Sequence, residues 1–306
     1  MKKVVITGAT SMLGVATAEE WLKNGVGKIY AVVRESSANL YRLPKDERIV
    51  KVGCEACDYD NLKDLISETC DVFYHMSWEG TGVKRNASVT GQSDNIRYTL
   101  EALKSAKRLG CTKFIATGSQ AEYGLSNLDK QSPDSYVNPC TAYGIAKYAA
   151  GKMAMIEAES LDISCIWVRV FSVYGKYDKS SSMITSSISK MLNREKVSFT
   201  SAEQMWDYLY SEDAGRALYL MGEKVNGNHV YCLGSGVKRP LKDYIEIIRD
   251  KIDKSLPLGI GDIPYPKNVV MNICADIETL IADTGWTPQI EFEEGIERTI
   301  KYILDK

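Results

Sequence analysis

Tyr143 and Lys147 stand four residues apart in Tyr143-Gly144-Ile145-Ala146-Lys147. On a helix that spacing puts both side chains on one face. A phenol titrates near 10 in model peptides, too high for ready proton transfer at neutral pH. An ammonium one turn away favours the phenolate and brings Tyr143 towards acid–base work. A hydroxyl precedes this pair by 24 residues: Ser119, in Thr117-Gly118-Ser119-Gln120-Ala121-Glu122-Tyr123-Gly124. That segment directly follows a strand-like run, and in a parallel sheet the carboxyl ends of the strands face the ligand crevice. Near the N-terminus, Thr7-Gly8-Ala9-Thr10-Ser11-Met12-Leu13-Gly14 joins a β-branched run to a helical pattern. A strand-to-helix turn of small residues exposes free N–H groups at the positive end of a helix dipole, which suits a pyrophosphate. Gly8 makes the turn, Ser11 stands where the backbone nears phosphate, and Gly14 lets the helix pack on the sheet.

Other signals carry less. Cys54-Glu55-Ala56-Cys57 has half the spacing of a zinc site, but there is no second Cys-x-x-Cys and the only histidines are His75 and His229. A zinc site needs four ligands, so no metal is expected. His75 ends a strand pattern and reads as a satisfied core histidine. Lys238-Arg239 reads either as a diphosphate contact or as a solvated pair.

The elements that must position these residues alternate. Strands are expected at Lys3–Ile6, Lys28–Arg34, Arg48–Val52, Asp71–His75, Lys113–Thr117 and Ile163–Val170. Helices are expected at Met12–Asn24, Asn61–Thr69, Ser93–Leu109 and Thr141–Leu161. Such βαβ units build a doubly wound parallel sheet covered on both faces, an α/β fold. After about Ser172 the rhythm changes: Pro257, Pro264 and Pro266 crowd together and helices such as Leu241–Lys254 dominate. The division expected is a dinucleotide-binding domain over 1–172 and a smaller, mostly helical substrate domain over 173–306, with a strand near 229–234 returning to the first sheet.

Composition bounds the class. The 306 residues carry a formal charge of -2, without the basic excess of a general nucleic-acid binder. No apolar run reaches the roughly 18 residues of a membrane span, and eight scattered cysteines are not a secreted disulfide scaffold. A soluble, cytoplasmic protein is expected, binding neither nucleic acid nor membrane.

Taken together, the Thr-Gly-x-x-x-x-x-Gly turn, Ser119 and the Tyr143/Lys147 pair resemble the extended short-chain dehydrogenase/reductases that act on nucleotide-activated sugars. Further matches run the length of the chain: Phe73-Tyr74-His75-Met76-Ser77-Trp78 at the cofactor cleft, Asp94-Asn95-Ile96, Arg169 to Gly175, Trp206 to Tyr210, and Gly285-Trp286-Thr287-Pro288. The resemblance implies that Ser119 and Tyr143 polarise a substrate hydroxyl or carbonyl and that Lys147 also holds the nicotinamide ribose. It implies a cofactor site of Gly8, Ser11, Met12, Leu13, Gly14, Met76, Ser77, Tyr143 and Lys147, with Asp58 against adenine. It implies a nucleoside-diphosphate sugar against Trp78, Ser119, Gln120, Tyr143, Ser172 and Trp206. Ser172 replaces a usual asparagine and Trp206 a frequent arginine. A homodimer through the two long helices is also implied, with Leu100, Leu103, Ala149, Met153 and Ile156 as apolar contributors.

Dehydratases of this family follow their hydroxyl residue with Asp-Glu, whereas Gln120 and Ala121 cannot exchange protons at neutral pH. The reaction expected is reduction of a nucleoside-diphosphate 4-keto-6-deoxy sugar. A 4-epimerase with a retained cofactor is the alternative, and a catalytically inactive dinucleotide sensor stands further off because all three residues are kept. NAD-preferring folds usually end the second strand with an acidic residue; here Val33 falls near that position and Arg34 follows. Arg34 suits a 2′-phosphate, with Ser36 or Ser37 as added donors, so NADP(H) is expected over NAD(H). A one-residue shift would put Glu35 on the ribose and reverse the preference.

Overall fold

The computed structural model describes residues 1–81, 88–267 and 269–305. The N-terminal β-branched run forms β1 (Lys3–Thr7), with Val4, Val5 and Ile6 fully buried, as a strand covered on both faces requires. The alternation continues through α1 (Met12–Lys23), β2 (Lys28–Val33), β3 (Ile49–Gly53), α2 (Leu62–Leu65), β4 (Val72–His75), α3 (Val89–Arg108), β5 (Lys113–Ser119), α4 (Ala142–Leu161) and β6 (Ser164–Val170). Beyond lie β7 (Ser172–Tyr174), α5 (Met183–Leu192), β8 (Val197–Phe199), β9 (Met205–Trp206), β10 (Tyr208–Tyr210), α6 (Ser211–Lys224) and β11 (His229–Leu233). The chain ends with β12 (Arg239–Pro240), α7 (Leu241–Ile252), β13 (Leu258–Ile260), α8 (Glu278–Thr284) and α9 (Phe292–Leu304).

Seven strands form one parallel sheet in the order β11-β6-β5-β4-β1-β2-β3. The order reverses beside β1, so the crevice between the ends of β1 and β4 is the topological switch point where α/β sheets take ligands. One apolar core runs between β1 and the α1/α6 side, around Trp21, Leu218 and Trp286; a second lies under α3 and α4, around Leu103, Phe114 and Trp167. A third, around Tyr174, Ile188, Tyr244 and Phe292, holds the later elements. Among the described residues no helix is long and apolar enough to cross a membrane.

The helix expected over Asn61–Thr69 is shorter. A 3-10 stretch at Ala56–Asn61 leads into α2, and Ile66 turns extended so that its side chain is buried. Glu68 is then free to pair with Lys3 and Lys28. The long helix α3 starts earlier than Ser93 because Ser88 caps it, its Oγ accepting the Gly91 N–H at 2.9 Å. After Ser172 helices do not dominate alone: β7 pairs with β10, β9 with β12 and β8 with β13. Strands of two or three residues carry no period to read, and each finds its partner far along the chain.

Candidate active site

Gly8 has φ +67°, and a side chain there would put its first carbon 2.7 Å from the Ser77 nitrogen and 2.8 Å from the Met76 carbonyl carbon. The turn after β1 therefore lies directly against the Met76-Ser77 segment after β4. A first side-chain carbon on Gly14 would sit 2.4 Å from the Gly8 carbonyl oxygen, so only glycine lets α1 start this close to the strand. Ser11 caps α1: its Oγ accepts the Gly14 N–H at 3.0 Å. The N–H groups of Met12 and Leu13 fall in the first turn, where a helix supplies no partners of its own. Glycine-lined backbone, first-turn N–H groups and a helix dipole fit a dinucleotide pyrophosphate.

A polar chain stands behind this turn. Tyr59 Oη donates to Ser77 Oγ at 2.7 Å, and Ser77 Oγ to Thr7 Oγ1 at 3.2 Å. Thr7 Oγ1 meets His75 Nδ1 at 3.0 Å, His75 Nε2 meets Thr99 Oγ1 at 3.3 Å, and Thr99 donates to the Asn95 carbonyl at 2.8 Å. Counting one proton per hydroxyl gives His75 its proton on Nε2. Burial, with Lys147 nearby, pushes its pKa down to about 3. His75 is a neutral, satisfied core residue. Tyr59 carries no sequence signal of its own.

Thr141 caps α4 through the Gly144 N–H at 3.0 Å, which puts Tyr143 in the first turn and Lys147 one turn on. Gly144 makes the approach tight: a side-chain carbon there would lie 2.4 Å from the Ala121 carbonyl oxygen. The start of α4 thus packs on the turn that follows Ser119 at the end of β5. Lys147 Nζ is buried; it donates to the Thr117 carbonyl at 2.6 Å and lies 3.7 Å from the centre of the Trp78 ring. The Trp78 ring also meets Tyr143 edge-on at 6.1 Å, and its Nε1 donates to Gln92 Oε1 at 2.8 Å. Burial pulls the Lys147 pKa down to about 7, against support from the Glu122 carboxylate. Ser119 is buried, and its Oγ accepts the Ala121 N–H at 3.1 Å, leaving the hydroxyl proton for an outside acceptor.

Gln120 lines a small cleft with Tyr123, Gln131 and Ile273. Arg34 and Asp58 are exposed beyond the ends of β2 and β3. The Glu35 side chain lies against Gly53, where an added carbon would be 2.7 Å from its Cγ. Ser172 and Trp206 meet each other: Trp206 Nε1 donates to Ser172 Oγ at 2.8 Å. Lys238 pairs with Asp129 at 2.6 Å and donates to Asn272, and Arg239 pairs with Glu293 at 2.6 Å. Leu103 lies wholly in the core, whereas Met153 and Ile156 are exposed. Among the described residues no three histidine, cysteine or acidic side chains form a metal-sized group.

Neither Glu122 nor Gln92 stands out in the sequence by residue type alone. The signal for Glu122 was present: Ser119-Gln120-Ala121-Glu122 has capping-box spacing, and both bonds of the box form.

Residues 4–234 match the NAD dependent epimerase/dehydratase family. Over 99% of its length the chain is 25% identical to dTDP-4-dehydro-6-deoxyglucose reductase of Escherichia coli, covering 98% of that protein. It is 22% identical to UDP-glucose 4-epimerase of Mycolicibacterium smegmatis, covering 99% of each. Its fold superimposes on UDP-N-acetylglucosamine 4-epimerase from Methanobrevibacter ruminantium M1 with a TM-score of 0.89 at 21% identity, over 99% of this chain and 98% of that one. With the match spanning the whole sheet from β1 to β11, the chain belongs to the NAD dependent epimerase/dehydratase family and is an enzyme of the extended short-chain dehydrogenase/reductase type.

Proposed function

We propose that this enzyme is an NADP(H)-dependent reductase of a nucleoside-diphosphate 4-keto-6-deoxy sugar. The observation that carries this reading is the motif after β5. Ser119 is followed by Gln120 and Ala121, and the only carboxylate in the motif, Glu122, is tied to Arg169 at 2.8 Å in the core. Elimination of water needs an acid and a base that these residues do not supply. Carbonyl reduction needs a proton donor and an oxygen binder, and the similarity to a 4-keto sugar reductase points the same way.

In this reading Gly8, Ser11, Met12, Leu13 and Gly14 hold the pyrophosphate, Asp58 meets adenine, and Met76 and Ser77 line the cleft. The bound dinucleotide supplies the hydride. Ser119 donates a hydrogen bond to the keto oxygen while Tyr143 hands over its phenolic proton. The Lys147 ammonium, held by the Thr117 carbonyl and the Trp78 face, stabilises the phenolate left behind. Trp78, Gln120 and the hydrogen-bonded Ser172–Trp206 pair form the sugar-nucleotide wall. Arg34 reads a 2′-phosphate, and Glu35, turned onto Gly53, leaves it that role.

Assembly is read from α4. Ile145, Ala149, Met153 and Ile156 fall at helical spacing, and three of them are 54%, 46% and 70% exposed. An apolar stripe of this kind suits a two-fold helix-on-helix homodimer.

A 4-epimerase is the second reading, favoured by similarity to a UDP-glucose 4-epimerase and by a trio that serves oxidation and re-reduction equally. One assay separates them. The reductase consumes added NADPH in equal amount with a nucleoside-diphosphate 4-keto-6-deoxy sugar. An epimerase interconverts two hydroxyl sugars with no net change in nicotinamide absorbance, and that result would replace the first reading.

A further inference from the structure

We infer that Glu122, partnered by Arg169, is a positioning residue: its carboxylate fixes the backbone of Ser119 and stands behind the Lys147 ammonium. The inference rests on the reading of Ser119, Tyr143 and Lys147 above. Glu122 has no exposed surface. Its Oε1 accepts the Ser119 N–H at 2.8 Å and the Trp167 Nε1–H at 3.0 Å, and its Oε2 accepts Arg169 Nε–H at 2.8 Å. Arg169 Nη1 donates onward to Tyr123 Oη at 3.0 Å and to the Pro133 carbonyl at 2.9 Å. The carboxylate is thus committed to the chain on both oxygens and has no place in proton exchange with a substrate.

What it does is geometric. The end of β5 is clamped through the Ser119 N–H, while Ser119 Oγ accepts the Ala121 N–H, so the oxygen is held in place and its proton remains to be donated. The packing is close: a side-chain carbon on Gly118 would lie 2.4 Å from Glu122 Oε1 and 2.3 Å from Trp167 Nε1. A buried ion pair gains little stability once desolvation is counted, and apolar residues of the same volume serve a core as well. Its location under the candidate hydroxyl is what distinguishes it.

The charge acts as well. Lys147 Nζ is enclosed by the Thr117 carbonyl and the rings of Trp78, Tyr143 and Trp167. Of the titratable groups around it, Tyr143 faces it from one turn earlier on α4, His75 is held neutral by burial, and Glu122 supplies the negative charge that supports the ammonium. Near Glu122 are Arg169 from β6, Cys232 from β11 and Tyr123 from its own turn; burial keeps the last two protonated. Without the carboxylate, Lys147 loses its proton at lower pH, and the Arg169 charge is left unpaired.

The test uses the full chain with oxidised dinucleotide bound. Trp78 lies against Lys147 Nζ and meets Tyr143 edge-on, so the fluorescence titration of the protein minus that of Trp78→Phe follows both groups without any substrate, and the same difference taken in a Tyr143→Phe background isolates the lysine. The wild-type midpoint is expected below the ordinary lysine range, because burial disfavours the ammonium. Glu122→Gln should lower it by about one pH unit. In the reductase assay Glu122→Gln should lower kcat by about ten- to hundredfold with KM little changed, because a displaced hydroxyl misaligns the reacting oxygen without removing a binding group. Glu122→Asp keeps the charge but withdraws it from Ser119: its Lys147 midpoint should stay at the wild-type value while kcat falls, and it serves if Glu122→Gln does not fold. An unchanged midpoint in Glu122→Gln, or wild-type kcat in Glu122→Asp, overturns the inference. Tyr143→Phe is run in parallel. Wild-type turnover there means that the reading of the active site has failed, whereas inactive Tyr143→Phe beside wild-type Glu122→Asp means that only this inference has.

Discussion

Tyr143, in the proposed mechanism, differs from a phenylalanine by one hydroxyl. Tyr143→Phe keeps the ring that meets Trp78 edge-on and removes only the hydroxyl with its transferable proton. Turnover should fall by roughly a hundredfold or more, the usual worth of a positioned acid, while dinucleotide affinity stays near wild type. Steady-state kinetics with a binding titration checks both halves. Arg34 tests the cofactor reading at the same scale. It is exposed just beyond β2, and Arg34→Ala should weaken NADP(H) by about 1.5–3 kcal/mol, the range of a hydrogen bond to a charged group, and leave NAD(H) almost unchanged. Equal losses for the two dinucleotides would return the ribose to Glu35 or to neither residue.

At the scale of elements, α4 must both cross the sheet and begin against the turn after β5. Gly144 permits this, since an added carbon would sit 2.4 Å from the Ala121 carbonyl oxygen. Gly144→Ala should therefore push the first turn of α4 away from Ser119, costing about 1–3 kcal/mol of stability as overpacking does. The loss in kcat should exceed what the folded fraction explains, which denaturant titration and kinetics together decide. On the same helix, Ile156→Asp changes a residue that is 70% exposed in the single chain. If α4 pairs two copies, this variant should be monomeric by light scattering with its fold intact. A monomeric wild type would remove the dimer instead.

Across the whole molecule, buried titratable groups set how stability follows pH. His75 is held at about 3 instead of its ordinary 6.5. Between those values the unfolded chain takes up a proton that the native chain lacks, so stability falls as pH falls, by about 1.4 kcal/mol per pH unit for one proton. His75→Gln can still accept from Thr7 and donate to Thr99, and it should flatten this slope between pH 4 and 6 in urea titrations, where these pH values mark roughly the middle of the window. Lys147, held near 7 instead of 10.5, works in the same direction at higher pH: from pH 7 towards 10.5 the unfolded chain holds a proton that the native lysine lacks, so stability rises with pH.

The sequence by itself determined the alternation of strands and helices, the phosphate turn and the spacing of Tyr143 and Lys147. Those are local: a period of 2 or 3.6, a glycine where φ is positive, two residues one turn apart. The family resemblance followed from the same short-range patterns, and residues 4–234 carry it. Only the tertiary structure decided which groups surround them. Trp78 lies over Lys147, Ser172 takes the Trp206 N–H, and Glu122 closes on Arg169 across 47 positions. The brief strands β7 to β10, β12 and β13 likewise exist through partners distant in the chain. Pairings of that kind are stabilised by burial and by exclusion of water, which depend on what the folded chain brings alongside and leave no periodic trace in the residues themselves.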